Sequence, residues 1–254
     1  MTKKRLVVAN WKMYLSTPTE AKAYVTVLRR YTRSFAGVEA WIAPAVTLLP
    51  TLVLALKKST IRVGAQTVSA YKDGAHTGDV SAAMLKGAGA KFVIVGHSER
   101  RAEGESEEEV RMSLARAVEA DLTAVLCVGE KERDDSGNYF GVISAQLNSA
   151  LQGFPRASAS KLVVAYEPVW AIGKAGDKAM SPSELQEMHI FVRKVLADTL
   201  GRERALAVPI LYGGSIEPEN ARAHVEEGGV SGFLVGHASA DPKSFAAILS
   251  ACRK

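Results

Sequence analysis

The sequence predicts an α/β chain folded as one (β/α)8 barrel, and three observations carry that reading. Apolar runs of strand length alternate with longer stretches of helical period eight times along 254 residues, the pattern of parallel strands joined by crossover helices. The runs are continuous, as in LVVA at 6–9, FVIVG at 92–96 and LVVAY at 162–166, which is how strands covered on both faces read. The length suits a barrel of roughly 250 residues, and no linker or shift in composition divides the chain, so 1–254 reads as a single domain.

Strands are expected at 5–10, 38–43, 61–65, 91–96, 122–128, 162–167, 207–212 and 232–236. After the first, Ala9-Asn10-Trp11-Lys12 stands where a doubly wound open sheet would carry a glycine-rich dinucleotide turn, which favours the barrel. Thr17-Pro18-Thr19-Glu20 supplies an N-cap, a first-position proline and a capping-box glutamate, and Ala21, Tyr24, Val25 and Leu28 follow on one face. Ser106 with Glu109 repeats that grammar, so the acidic run from Glu103 to Glu109 reads as a solvated helix start. Ser181-Pro182-Ser183-Glu184 opens a helix striped by Leu185, Met188, Val192, Val195 and Leu196 that ends near Gly201. Asp241-Pro242 opens the last, through Phe245, Ile248 and Leu249.

Composition narrows the function classes. Apolar residues make up 47%, charged 23% and aromatic 7%, as in a globular protein. No apolar stretch approaches the roughly 18 residues of a membrane span, and basic Met1–Arg5 is followed by only Leu6–Ala9 before Asn10, too short for a secretory signal. A cytoplasmic protein is expected. Two cysteines, Cys127 and Cys252, exclude a disulfide framework or a cysteine-rich zinc site; Cys127, at the end of LTAVLC, reads as a small buried supporting residue. The net charge of +5 is spread among interspersed acids without an aromatic basic face, which argues against nucleic acid but suits a small anion. The five histidines show no metal-ligand spacing, so no metal is expected, and His76, His189 and His224 read as structural.

The chemistry lies at strand exits. Lys12, His97 and Glu167 each follow an apolar run, and a barrel gathers such positions at the carboxyl ends of its strands. An ammonium, an imidazole and a carboxylate in one mouth are equipment for moving protons. Each alone has an ordinary reading: a solvated loop glutamate, a hydrogen-bonded core histidine, a surface lysine. Gly213-Gly214-Ser215 after the seventh run, and Gly236-His237-Ala238-Ser239 after the eighth, could hold an anion on backbone N–H groups without a metal. From Glu167 to Ala179 the chain starts rigid at Pro168, turns apolar at Val169, Trp170 and Ile172, then small and polar, the composition of a water-excluding lid.

In order along the chain, ANWKM at 9–13, VGHSERR at 95–101, LCVGE at 126–130, AYEPVWAIG at 165–173, YGGSI at 212–216 and GFLVG at 232–236 resemble the motifs of the triosephosphate isomerase family. The resemblance implies that Glu167 takes a proton from the carbon beside the carbonyl of dihydroxyacetone phosphate, and that neutral His97 polarises the carbonyl. It implies that Lys12, assisted by Asn10, supplies positive charge, that Gly173, Ser215, Gly236 and His237 contact the phosphate, and that Glu99 organises Lys12 or His97. It further implies no cofactor, a place in glycolysis and gluconeogenesis, and a homodimer in which the loop around Thr77 reaches the neighbour's site. Three departures stand out: His237 where the family usually has glycine, a lid about two residues longer over 173–179, and His76 where phenylalanine is usual. An isomerase for a slightly longer sugar phosphate and a non-catalytic barrel are the alternatives; intact Asn10, Lys12, His97 and Glu167 speak against the second.

Overall fold

The computed structural model describes residues 4–31, 37–174 and 180–253. Strands β1 (Arg5–Asn10), β2 (Val38–Ala43), β3 (Arg62–Val63), β4 (Phe92–Val95), β5 (Thr123–Val128), β6 (Leu162–Tyr166), β7 (Ile210–Tyr212) and β8 (Gly232–Val235) alternate with helices. These are α1 (Pro18–Tyr31), α2 (Leu49–Ala55), α3 (Ala82–Gly87), α4 (Ser98–Ala102), α5 (Glu107–Glu119), α6 (Asn138–Ala150), α7 (Pro182–Leu200), α8 (Arg202–Ala207), α9 (Ala221–Glu227) and α10 (Pro242–Ala251). The strands are parallel in the order β3-β2-β1-β8-β7-β6-β5-β4. The ring closes between β3 and β4, where Ala65 bridges Val93. There Ala65 N–H donates to Phe92 O and Ile94 N–H to Ala65 O, both at 3.0 Å, and Lys91 N–H to Val63 O at 2.8 Å. The result is a (β/α)8 barrel.

Side-chain parity explains both its core and its mouth. Alternate strand residues point to opposite faces, so Leu6 and Val8, Val163 and Ala165, and Leu211 and Leu234 pack inside the ring with Trp41, Phe92, Ile94, Val125 and Cys127. Val7 and Ala9, Val164 and Tyr166, and Phe233 and Val235 pack outward against the helices. Continuing the inward parity two residues past each strand's last inner position brings Asn10, Glu167, Gly213 and Gly236 to the inner rim.

The helix-start chemistry is present in full at three helices. At α1, Glu20 N–H donates to Thr17 Oγ1 at 3.2 Å and Thr17 N–H to Glu20 Oε2 at 2.9 Å. Ser106 and Glu109 cap α5 reciprocally, and Ser181 and Glu184 do the same for α7; Asp241 accepts the Ser244 N–H at the start of α10. Helix α7 ends at Gly201, whose φ of +86° favours glycine. Six strands are shorter than the sequence reading: β4 by one residue at each end, β5 by one at its start, β8 by one at its end, and β3, β7 and β6 for reasons their neighbours show. β3 is two residues with an isolated bridge at Ala65, because Gly64 lies against Phe92, whose carbonyl would sit 2.4 Å from an added Cβ. β7 starts at Ile210, since α8 runs to Ala207 and Pro209 has no N–H for a ladder. β6 stops at Tyr166, although Glu167 N–H still donates to Val128 O at 2.8 Å. Among the described residues no helix is long and apolar enough to cross a membrane.

Candidate active site

Beyond β1 the chain makes a costly turn. Lys12 has φ +44°, a left-handed conformation that non-glycine residues rarely adopt. Two amides hold it there: Lys12 N–H donates to Asn10 Oδ1 at 3.2 Å, and Gln66 Nε2 donates to Lys12 O at 2.9 Å and to Ala43 O at 3.0 Å. The ammonium therefore starts from a fixed backbone. It ends 2.6 Å from Glu99 Oε1.

At the exit of β4, His97 is the N-cap of α4. Its Nδ1 accepts the Glu99 N–H at 3.2 Å, which leaves Nε2 as the protonated nitrogen of the neutral ring. Nε2 lies 3.2 Å from Glu167 Oε1, and Glu167 Oε2 accepts the Ser98 N–H at 3.0 Å. The glutamate is buried, at 2% exposure, and two glycines make that burial possible. A Cβ on Gly129 would sit 1.8 Å from Glu167 O, and one on Gly213 would sit 2.7 Å from Glu167 Cγ. Beneath it, Cys127 is fully buried; burial first, and the Glu167 carboxylate second, hold its thiol well above the ordinary range. That thiol is a neutral neighbour of the carboxylate, not a nucleophile.

The segment after Glu167 is tied to a second buried carboxylate. Trp170 Nε1 and Tyr166 Oη both donate to Glu130 Oε1 at 2.8 Å, and Val169 N–H donates to Glu130 O at 2.9 Å. Arg133 lies over the rings of Tyr139 and Trp170 at 4.6 and 5.5 Å. Residues 175–179, in which most of the expected extra lid length falls, lie outside the described residues.

Asn10, Lys12, His97, Glu167, Gly173, Ser215, Gly236 and His237 all line one cavity of about 400 Å³. At its glycine-rich end, the backbone N–H groups of Gly173, Gly214, Ser215, Gly236 and His237 donate to no described residue. Ser215 Oγ instead ties the two loops together, donating to Ala171 O at 3.1 Å. Unspent donors beside an ammonium can hold an anion. At the other end, a buried carboxylate faces a neutral imidazole N–H, a base beside a proton donor.

Glu99 reaches this cavity through Lys12, and Cys127 lies under its floor. The loop around Thr77 is exposed, with His76 stacked flat on Tyr71 at 3.7 Å and 7°. His224 is buried within α9, with Nε2 2.9 Å from Met180 O. Among the described residues no cluster of histidine, cysteine or acidic side chains could hold a metal. Sequence reasoning missed Gln66 and Ser98, and it read Gly213 as an anion donor, whereas the Gly213 N–H donates to Tyr166 O at 2.8 Å and the residue serves the site by the space it leaves for Glu167. A lone polar residue just past the third apolar run could have pointed to Gln66; a backbone donor and a missing side chain carry no such signal.

A family model described as triosephosphate isomerase matches residues 5–252. Curated triosephosphate isomerases are similar over nearly their whole length. That of Citrifermentans bemidjiense is 41% identical over 249 residues, covering 97% of this chain and 98% of its own. That of Symbiobacterium thermophilum is 41% identical over 248, covering 97% and 96%. That of Thermus thermophilus is 41% identical over 246, covering 96% and 97%.

Proposed function

The chain belongs to the triosephosphate isomerase family, and from that premise we propose that Glu167, His97 and Lys12 carry its reaction, with Gly173, Ser215, Gly236 and His237 holding the phosphate. The enzyme interconverts dihydroxyacetone phosphate and D-glyceraldehyde 3-phosphate, a step of glycolysis and gluconeogenesis. The observation that carries the residue assignment is the 3.2 Å approach of Glu167 Oε1 to His97 Nε2 in a cavity whose far end is lined by unspent N–H groups.

Moving a hydrogen between adjacent carbons of a ketose and an aldose is redox-neutral. It requires a base for the carbon proton and a donor for the oxygen that becomes negative. Glu167 abstracts the proton from the carbon beside the carbonyl. His97 Nε2–H donates to the carbonyl oxygen, so charge builds against a positioned dipole; this family is itself a reference case for such a neutral histidine. The resulting enediolate takes the proton back at the neighbouring carbon from Glu167. Lys12 lies where it can compensate both the phosphate and the enediolate oxygens, and Asn10 holds its backbone. Glu99 aligns Lys12 through the 2.6 Å ion pair and His97 through the N–H on Nδ1. A homodimer formed through the loop around Thr77 and a cytoplasmic location belong to the same proposal.

A coupled assay of dihydroxyacetone phosphate isomerisation tests the central role. Glu167→Asp withdraws the carboxylate by one methylene and is expected to lower kcat by about a hundredfold or more, with inhibition by inorganic phosphate retained. Near-normal turnover removes Glu167 from the base position. Light scattering after size exclusion tests the dimer, and a fully active monomer overturns it.

A further inference from the structure

We propose that the His237 imidazole, braced by Tyr14, is a phosphate-binding side chain that adds a second wall to the backbone anion site and so sets the enzyme's affinity for its anionic substrate. This rests on the assignment of the glycine-rich end of the cavity to the phosphate. It goes further by giving a role to two side chains that the proton chemistry does not use.

The backbone at this point is firmly placed. After β8, Gly236 turns the chain into a short 3-10 turn over His237–Ala240. Ser239 pins that turn from inside: its N–H and Oγ donate to Gly236 O at 2.9 and 2.7 Å, and its own carbonyl accepts from Tyr24 Oη at 2.7 Å. Ala238 and Ser239 are buried, whereas the side chain between them and the mouth, His237, is exposed at the rim. Its direction is therefore fixed at the root, but it has no burial of its own to account for it.

What holds the ring is Tyr14. The two rings meet edge to face, with centroids 5.5 Å apart and planes at 83°, a favoured geometry for aromatic pairs. The Tyr14 backbone is fixed in turn, since its N–H donates to Trp11 O at 3.0 Å and Trp11 is buried against Tyr24 at 4.6 Å, while its half-exposed ring rests on His237. The loop that positions Lys12 thus also positions the imidazole. Both side chains line the cavity alongside Lys12, Gly173, Ser215 and Gly236.

Neither imidazole nitrogen nor the Tyr14 hydroxyl forms a hydrogen bond to any described residue. The nearby charges leave room for another donor: Lys12 is paired with Glu99, and both the Glu217 carboxylate and Lys174 line the same cavity. A phosphate seated on the backbone N–H groups still has oxygens directed at the rim. A preorganised imidazole N–H there gives up little rotamer freedom on binding, which is where preorganised contacts gain affinity.

The test uses the intact enzyme, with dihydroxyacetone phosphate as substrate and inorganic phosphate as competitive inhibitor. His237→Gly is expected to raise KM and the phosphate inhibition constant together by about tenfold or more, as for loss of one hydrogen bond to a charged group, with a smaller fall in kcat. His237→Gln, which keeps an N–H donor, recovers most of that loss. Tyr14→Ala raises both constants about two- to threefold, and Tyr14→Phe, which keeps the ring, does not. Thermal melts confirm that each variant folds. Unchanged or lowered constants in His237→Gly overturn the inference, as does a Gln variant no better than Gly. If phosphate fails to inhibit the unmodified enzyme, the assignment of the phosphate end itself falls, which separates the two failures.

Discussion

At the amino-terminal end of the barrel Phe92 packs on Trp41 at 4.8 Å, Arg62 lies over Trp41 at 5.1 Å, and Trp41 Nε1 donates to Glu39 Oε2 at 3.3 Å. Glu39 also lies 3.8 Å from Arg62, so rings and charges there answer one another. A cavity of about 550 Å³ opens at this end, somewhat larger than the one of about 400 Å³ at the carboxyl end. Size does not separate the two. At the mouth, backbone donors are unspent, Lys12 is held in a strained conformation, and a carboxylate is buried against an imidazole. Glycine serves opposite purposes in the two places: Gly64 makes room for the Phe92 ring, whereas Gly129 and Gly213 make room for Glu167. One end spends its groups on stability, and the other reserves them for a ligand.

Substitutions at each end sharpen that contrast. Phe92→Ala empties a fully buried site inside the ring and is expected to cost about 3–5 kcal/mol. Urea unfolding reads the loss, while kcat/KM of the folded fraction stays within about threefold by the same contrast. A comparable collapse of activity would break the division between the ends.

Lys12→Met acts the other way. It removes the ammonium and keeps the length of the side chain, so kcat/KM falls by about a hundredfold or more with little change in the urea midpoint. Gly213→Ala drives a methyl to 2.7 Å from Glu167 Cγ; displacing the base by a fraction of an ångström lowers kcat by about tenfold, read in the coupled assay. A Gly213→Ala enzyme with full turnover would show that the pocket around the carboxylate is looser than its packing.

A further expected effect is one of pH. His189 on α7 lies beside Gly229, whose added Cβ would sit 3.1 Å from Nδ1, and Gly229 lines the amino-terminal cavity. Burial first, and Arg193 second, push the His189 pKa down to about 4, and Arg193 NH2 stands 3.3 Å from Nε2, donating to the neutral ring. The unfolded chain takes up this proton near pH 6.5 and the folded chain only near 4. The contribution is therefore complete above about 6.5 and is lost as pH falls toward 4. His189→Gln should flatten the decline of the urea midpoint across that window, and an unchanged slope would remove His189 from the acid response.

What could be read from the sequence follows from where side chains carry the signal. The strand runs were legible because burial on both faces leaves no polar alternation, and the caps at Ser106, Ser181 and Asp241 because a hydroxyl or carboxylate at a fixed offset meets the first N–H groups. α4 was not, since five residues are too few to show a period, and β3 and β7 were overextended across Gly64 and Pro209. In the site, Lys12, His97 and Glu167 stood out as polar ends of apolar runs. The Ser98 N–H that holds Glu167, the space left by Gly213 and the φ of Lys12 belong to the backbone, and only the assembled ring displays them.

The closure between β3 and β4 carries a consequence of its own. β3 gives two residues, Ala65 meets Val93 as a lone bridge, and the very next residue, Gln66, is the one whose amide clamps Lys12 O. The barrel is a belt whose buckle is sewn to its working part. Its mechanical fastening and the placement of its ammonium share three consecutive residues, Gly64, Ala65 and Gln66, so an unbuckled barrel would lose the tension on Lys12 while most of its other staves still stood.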